Sequence, residues 1–161
     1  MKKSYYTTLL IAAAIAATFA TCLRPPDYPI GPVIKFNSLS NNKVHACTNA
    51  ADTIFMYIDF TSGSGQIGSD TAGNFILLDR RQPTAPPDTN RIPFVPVQGA
   101  GNGISGTIRL ALYARDLACL PGCNNPLNNA VDTLRYDIYI LDREGRQSNT
   151  VQSAPIYLQC R

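Results

Sequence analysis

The chain of 161 residues has no tryptophan, one histidine, one glutamate and a charged fraction of only 16%. Roughly 25% is usual for a soluble domain. Each scarcity excludes some chemistry. A Ser-His-Asp or Cys-His nucleophilic site needs a histidine. His45 is the only one, in the stretch NNKVHAC beside a cysteine, where it reads as a loop residue near the surface. Paired carboxylates for glycoside hydrolysis would have to come from the aspartates and Glu144. Most of those aspartates stand beside Thr, Arg or Gly, as turn residues do. Asp59 and Asp137 are the exceptions, and both read as solvent-facing strand residues. There is no basic cluster with interleaved aromatics, so nucleic acid is not an expected partner. The expectation is a protein that is not an enzyme and holds no cofactor.

The first residues are an address. In MKKSYYTTLLIAAAIAATFATC, Lys2 and Lys3 form a positive start, and Leu9 to Ala20 is an uncharged, mostly apolar run. It fits a signal peptide helix and is too short for a transmembrane helix, which needs about 20 residues. Two cleavage outcomes stay open. One is a cut after Ala20. The other treats Phe19-Ala20-Thr21-Cys22 as a lipobox, with Thr21 in place of a smaller residue and Phe19 in place of Leu. Cysteine arithmetic favours the second, because lipidation of Cys22 leaves Cys47, Cys119, Cys123 and Cys160 of the five cysteines. An even set suits an oxidising compartment. Removal of residues 1–21 takes away Lys2 and Lys3 and lowers the net charge from +3 to +1. Residues 22–32 follow as a tether whose prolines hold it extended.

Residues 33–161 read as one domain of strands and turns. Twelve Pro and eleven Gly argue against a helical bundle, and a hydrophobic fraction of 45% excludes a disordered chain. Apolar residues recur with period two between Gly, Pro, Asn and Asp clusters. The expected strands are Val33–Asn37, Thr53–Phe60, Phe75–Arg80, Ile92–Val97, Thr107–Tyr113, Leu134–Leu141 and Val151–Leu158. Pro93 and Pro96 mark the fourth as an edge. Ala111–Ala118 is the only stretch with helical character. About seven strands predict an all-β, immunoglobulin-like antiparallel β-sandwich, with a closed barrel as the alternative. Such a sandwich lacks the parallel-sheet crevice used by many enzymes.

Alternation of strands places Cys47, Cys119, Cys123 and Cys160 at one pole and the tether at the other. The preferred pairing is Cys47–Cys160 with Cys119–Cys123, the other two pairings remaining open. The first bridge closes a loop of more than about 100 residues and adds about 4–5 kcal/mol on the chain-entropy model. Zinc is the rival use of four cysteines and is disfavoured in an exported chain. Two Gly-rich loops, TSGSGQIGSD (61–70) and GAGNGISG (99–106), precede no helix. They read as turns that need a positive φ rather than as phosphate cradles.

The segments CLRPPDYPIGPVI, DTIFMYIDFTSGSGQIGSD, IPFVPVQGAGNGISGTIRL and VDTLRYDIYILDREGRQSNTVQSAPIYLQC together resemble a family of small Bacteroidota lipoproteins. The resemblance implies an exported immunoglobulin-like domain without known enzymatic activity. It also implies a turn at Asp142, Gly145 and Ser148. The family's acidic turn after the second strand is replaced here by Ser62, Ser64 and Gln66. Calcium prefers several carboxylates among six to eight oxygens, so only Asp59, Asp70 and Asp142 remain as weak metal candidates. Asp52-Thr53-Ile54, Asp70-Thr71-Ala72 and Asp132-Thr133-Leu134 resemble O-glycosylation sites of such exported proteins, with Thr53, Thr71 and Thr133 as acceptors. The expected function is a lipid-anchored structural or interaction module of the outer membrane. It would touch the membrane through its N-terminal lipid and present loops to a protein or glycan partner. The alternative is a carbohydrate- or calcium-binding surface module, with Tyr57, Tyr113, Tyr139 and Tyr157 as candidate sugar platforms.

Overall fold

The computed structural model describes residues 27–46, 52–97, 103–117 and 131–160, with the backbone alone at Ala46 and Cys160. The residues expected to form the signal peptide and lipobox lie outside these. The described residues form ten strands: β1 (Pro32–Leu39), β2 (Lys43–Ala46), β3 (Thr53–Ser62), β4 (Phe75–Asp79), β5 (Asp88–Asn90), β6 (Ile104–Tyr113), β7 (Val131–Leu134), β8 (Tyr136–Ile140), β9 (Val151–Gln152) and β10 (Ile156–Cys160). They make three sheets, ordered β1-β3-β6, β2-β10-β7 and β5-β4-β8-β9. All pairings are antiparallel except β2 with β10, which is parallel.

Period-two patterning builds the core. Ile54, Met56 and Ile58 of β3 are buried while Phe55, Tyr57 and Asp59 face the other way. Tyr136, Ile138 and Ile140 do the same on β8. With Phe75, Leu77, Leu134, Ile156 and Leu158 they form one apolar cluster to which all three sheets contribute. Each fully buried side chain of this size contributes about 1.5–3 kcal/mol.

The expected strand list needs several corrections. Ile92–Val97 is not a strand. Pro93 and Pro96 supply no amide donors, and the place beside β4 is taken by β5. Ile92 is buried all the same, its amide donating to Asn74 Oδ1 at 2.7 Å. The expected strand Leu134–Leu141 is broken at Arg135, whose carbonyl accepts from the Arg80 amide at 3.1 Å. The chain thereby passes from one sheet (β7) to another (β8). Val151–Leu158 is broken in the same way at Ser153–Pro155. There Ser153 Oγ accepts from the Tyr136 amide at 2.9 Å, and the Ser153 amide donates to the Tyr136 carbonyl. In the stretch expected to be helical, Ala111–Tyr113 stay in β6 and Ala114–Asp116 form a short 3₁₀ segment, while Ala118 lies outside the described residues. His45 lies on β2 rather than in a loop.

The register defines two ends. Pro32 pairs with Ser62, and Ser62 with Ile104, at the end where the tether enters. Thr53 pairs with Tyr113 at the opposite end.

Candidate functional site

At the tether end three segments converge on Gly63–Gly68. The incoming chain docks first. Gly63 donates its amide to the Pro29 carbonyl at 2.6 Å, and Ser64 to that of Ile30 at 3.1 Å. A Cβ at Gly63 would stand 2.4 Å from the Tyr28 carbonyl oxygen, so only glycine permits this approach. The Ile92–Val97 stretch docks next. Ser69 donates to the Ile92 carbonyl and Val95 to that of Ile67. Gly68 has φ +82, and a Cβ there would lie 1.9 Å from the Pro93 carbonyl oxygen. The Gly-rich loop is thus a close-packing element.

The third segment is the turn Asp142–Ser148. The Asp142 side chain is fully buried. Its Oδ1 accepts from the Glu144 amide at 3.0 Å and the Arg146 amide at 2.8 Å, and its Oδ2 from Arg146 Nε at 2.7 Å. Gly145 takes φ +78. Ser148 Oγ accepts from the Ile140 amide at 3.0 Å. Arg146 also reaches Glu144 at 2.6 Å. Its hydrogen bond to Asp142 raises the guanidinium's pKa. Arg143 joins this turn to the Gly-rich loop and to the Ile92–Val97 stretch. Its Nη1 donates to the carbonyls of Ile67 and Val95, both at 3.0 Å, and its guanidinium lies 4.5 Å over the Phe94 ring.

The weak metal candidates are held apart. Asp59 sits on the outer face of β3 and accepts from Thr107 Oγ1 at 2.6 Å and from Asn37 Nδ2. These bonds, the Thr107 one foremost, hold its pKa below the ordinary value for an aspartate. Asp142 is committed to its own turn. Asp70 is exposed, and Arg91 binds its main-chain carbonyl rather than its carboxylate. No group of three His, Cys, Asp or Glu suited to a metal occurs among the described residues. Of the three threonines, Thr71 is exposed in the β3–β4 connection and Thr133 on β7, while Thr53 is half-buried.

The opposite end carries the flanks of every segment that bears a later cysteine. Cys160 pairs with Ala46, the residue before Cys47, and Gln159 pairs with Val131. Ala114 donates its amide to the Asp52 carbonyl, and the 3₁₀ segment packs against β2. Cys22, Cys47, Cys119 and Cys123 lie outside the described residues. Nearby, Arg81 is nearly buried between Asp79, at 2.6 Å, and Asp132. A shallow cleft lined by Asp79, Asp88, Asp116 and Tyr136 opens beside this cluster. Burial, and then the neighbouring Asp79, push the Tyr136 phenol pKa upward.

The tyrosines do not form one platform. Tyr139 and Tyr157 lie on two different sheets, and only Tyr57 and Tyr113 share the outer face of β3–β6. That face also carries Phe55, with Arg109 4.6 Å over its ring. Sequence reasoning missed Arg143, Phe94, Arg81 and Ile30. Ile30 had a local signal, since Pro29 and Gly31 on either side deny it a strand. Comparison with family models, curated proteins and solved structures finds no match.

Proposed function

We propose that this chain is an exported lipoprotein, anchored through Cys22, whose β domain is a non-enzymatic structural or interaction module of the cell envelope. The observation that carries the reading is the polarity of the domain. The tether enters at one end through Pro29 and Ile30, and the flanks of the cysteine-bearing segments meet at the other. A module fixed to a membrane at one end and cross-linked at the far end needs this arrangement. The carboxylates that a hydrolytic reading would use are engaged elsewhere. Asp142 and Glu144 hold Arg146, Asp59 holds Thr107 and Asn37, and Asp137 faces Arg80.

The finer fold assignment belongs with this reading. An immunoglobulin-like sandwich is supported by two sheets, β1-β3-β6 and β5-β4-β8-β9, that place alternate residues into a shared core. The likeness to small Bacteroidota lipoproteins supports the same assignment. A Cys47–Cys160 bridge is supported by the register that sets Cys160 beside Ala46.

The test is metabolic labelling of the full chain with a fatty-acid analogue in a Gram-negative host. Wild type should carry the label and partition with membranes, and Cys22→Ala should do neither. A wild-type product cleaved after Ala20 and free of label would reject the anchor. A second reading, carbohydrate binding, is favoured by the Phe55, Tyr57 and Tyr113 face, because aromatic faces stack on sugar rings. Glycan-array binding lost in Tyr57→Ala with the fold intact would establish it.

A further inference from the structure

We infer that the tether end of the domain rests on the bilayer surface itself, inserting Ile30, Phe94 and Val97 at the headgroup level. This rests on the lipid anchor at Cys22. Among the described residues six large hydrophobics are exposed, and four of them, Ile30, Val33, Phe94 and Val97, lie at the tether end. Ile30 is 68% exposed, Val97 53% and Phe94 46%. They are strung along one loop. The Ile30 carbonyl is bonded to Ser64, Val97 lies against Gly65, and Phe94 stands beside Gly68. Such a concentration of apolar side chains at one end marks a contact surface.

The tether selects the occupant. Only Leu23, Arg24, Pro25 and Pro26 separate Cys22 from Asp27. Counted to Pro29, the first residue bonded to the loop, the fully extended link spans at most about 25 Å. Ile30, bonded to the loop, is therefore held close to the lipid headgroups, and a protein partner would have to enter that narrow gap. One cation is placed to meet the headgroups. Arg143 spends its hydrogen bonds on two main-chain carbonyls and lies over Phe94, so its charge stands beside the apolar patch, where lipid phosphates would meet it. The carboxylates of Asp142 and Glu144 are paired with Arg146. Amphipathic surfaces of this kind sit about 5–10 Å into the headgroup boundary.

The absence of tryptophan gives a clean probe. The full acylated chain, purified from membranes, is reconstituted into phosphatidylethanolamine–phosphatidylglycerol vesicles containing brominated lipid. Ile30→Trp, Phe94→Trp and Val97→Trp are made singly, with Tyr113→Trp at the opposite end as the control. All four sites are exposed, so the fold should tolerate them, and far-UV circular dichroism verifies it. The first three should be quenched about two-fold, as expected for rings at the acyl boundary, and the control left bright. Mass spectrometry of the N-terminal peptide reads the anchor separately. An acylated chain that floats with vesicles yet shows no quenching at any of the three sites overturns the docking while leaving the anchor standing. A chain that is not acylated overturns both. Quenching that disappears in Phe94→Trp when Ile30→Asp and Val97→Asp are added supports the apolar contact directly.

Discussion

Gly68 and Gly145 form a matched pair that isolates the energetic weight of the loop contact. Both are left-handed, with φ +82 and φ +78, so alanine at either pays the same backbone strain. That strain is about 1–2 kcal/mol, partly offset by the stiffer unfolded chain, leaving about 1 kcal/mol. At Gly145 nothing lies within 4 Å of the new Cβ, and this is the whole cost. At Gly68 the Cβ would meet the Pro93 oxygen at 1.9 Å, the Pro93 carbonyl carbon at 2.7 Å and Phe94 Cα at 3.0 Å. These are main-chain atoms and cannot rotate away, so the loop must withdraw from the Ile92–Val97 stretch. Withdrawal weakens the bonds Ser69 N to Ile92 O and Val95 N to Ile67 O, 3.0 and 3.2 Å long. Each is worth roughly 0.5–1.5 kcal/mol. It also loosens Ile67, which is fully buried. Gly68→Ala should therefore cost about 3–5 kcal/mol against about 1 for Gly145→Ala. Urea unfolding of the oxidised protein, followed by circular dichroism, measures both. At about 4 °C per kcal/mol the melting temperatures should differ by about 8–16 °C. Two variants within about 0.5 kcal/mol of each other, at unchanged m, would refute the reasoning.

Three further outcomes are expected. Asn149→Ala should destabilise by about 1–3 kcal/mol, since Asn149 accepts from the Ile34 amide at 2.8 Å and donates to its carbonyl at 2.9 Å, and both groups sit in a buried residue; a cost under about 0.5 kcal/mol in the same urea assay would contradict this. Asp59 has a folded pKa below its unfolded value, so its contribution is present above 3.8 and is lost as pH falls through the lower folded value; Asp59→Asn should lose that part of the acid dependence, and an unchanged pH profile of the urea midpoint would count against the Thr107 and Asn37 bonds. Non-reducing peptide mapping should find Cys47 joined to Cys160, and Cys160→Ser should cost about 4–5 kcal/mol on the chain-entropy model, whereas a Cys47 peptide linked to another cysteine would exclude the pairing.

Where a strand serves one sheet throughout, its alternation was readable. β3 and β8 were legible because each buries one face against the core for its whole length. The breaks at Arg135 and Ser153–Pro155 were not, because the residues on either side keep the same apolar pattern. What changes is the partner strand, which is a long-range fact. β2 was missed for the same reason: four residues, paired only to β10 from the far end of the chain. The Ile92–Val97 stretch misled in the other direction, its apolar residues serving a proline-rich coil that packs on the Gly loop. At the candidate site, the turn at Asp142, Gly145 and Ser148 was an implication of the family resemblance and not of the local pattern. Arg143 was not legible, because its partners Ile67, Val95 and Phe94 are brought to it only by the fold.

On the proposed anchoring, any pull on the domain arrives through the tether, and the way β1 is secured follows from that load. β1 is an edge strand of its sheet, and edge strands are the easiest to peel. Its first pair, Pro32 with Ser62, lies at the tether end, so tension from Asp27 would open the ladder one rung at a time. Two devices stand ahead of that opening or beside it. The bonds from Gly63 and Ser64 to Pro29 and Ile30 extend the pairing beyond the strand, and they must fail before the first rung is loaded. Asn149 then grips β1 from its unpaired side at Ile34, taking both main-chain groups as a neighbouring strand would. An edge held on both sides near its loaded end resists peeling. The clamp also occupies the outward donor and acceptor of Ile34, which an open edge would offer to another chain. The Gly63 requirement, the Asn149 clamp and the apolar surface at Ile30 thus meet at one place on the molecule, the place where a membrane-tethered domain transmits force.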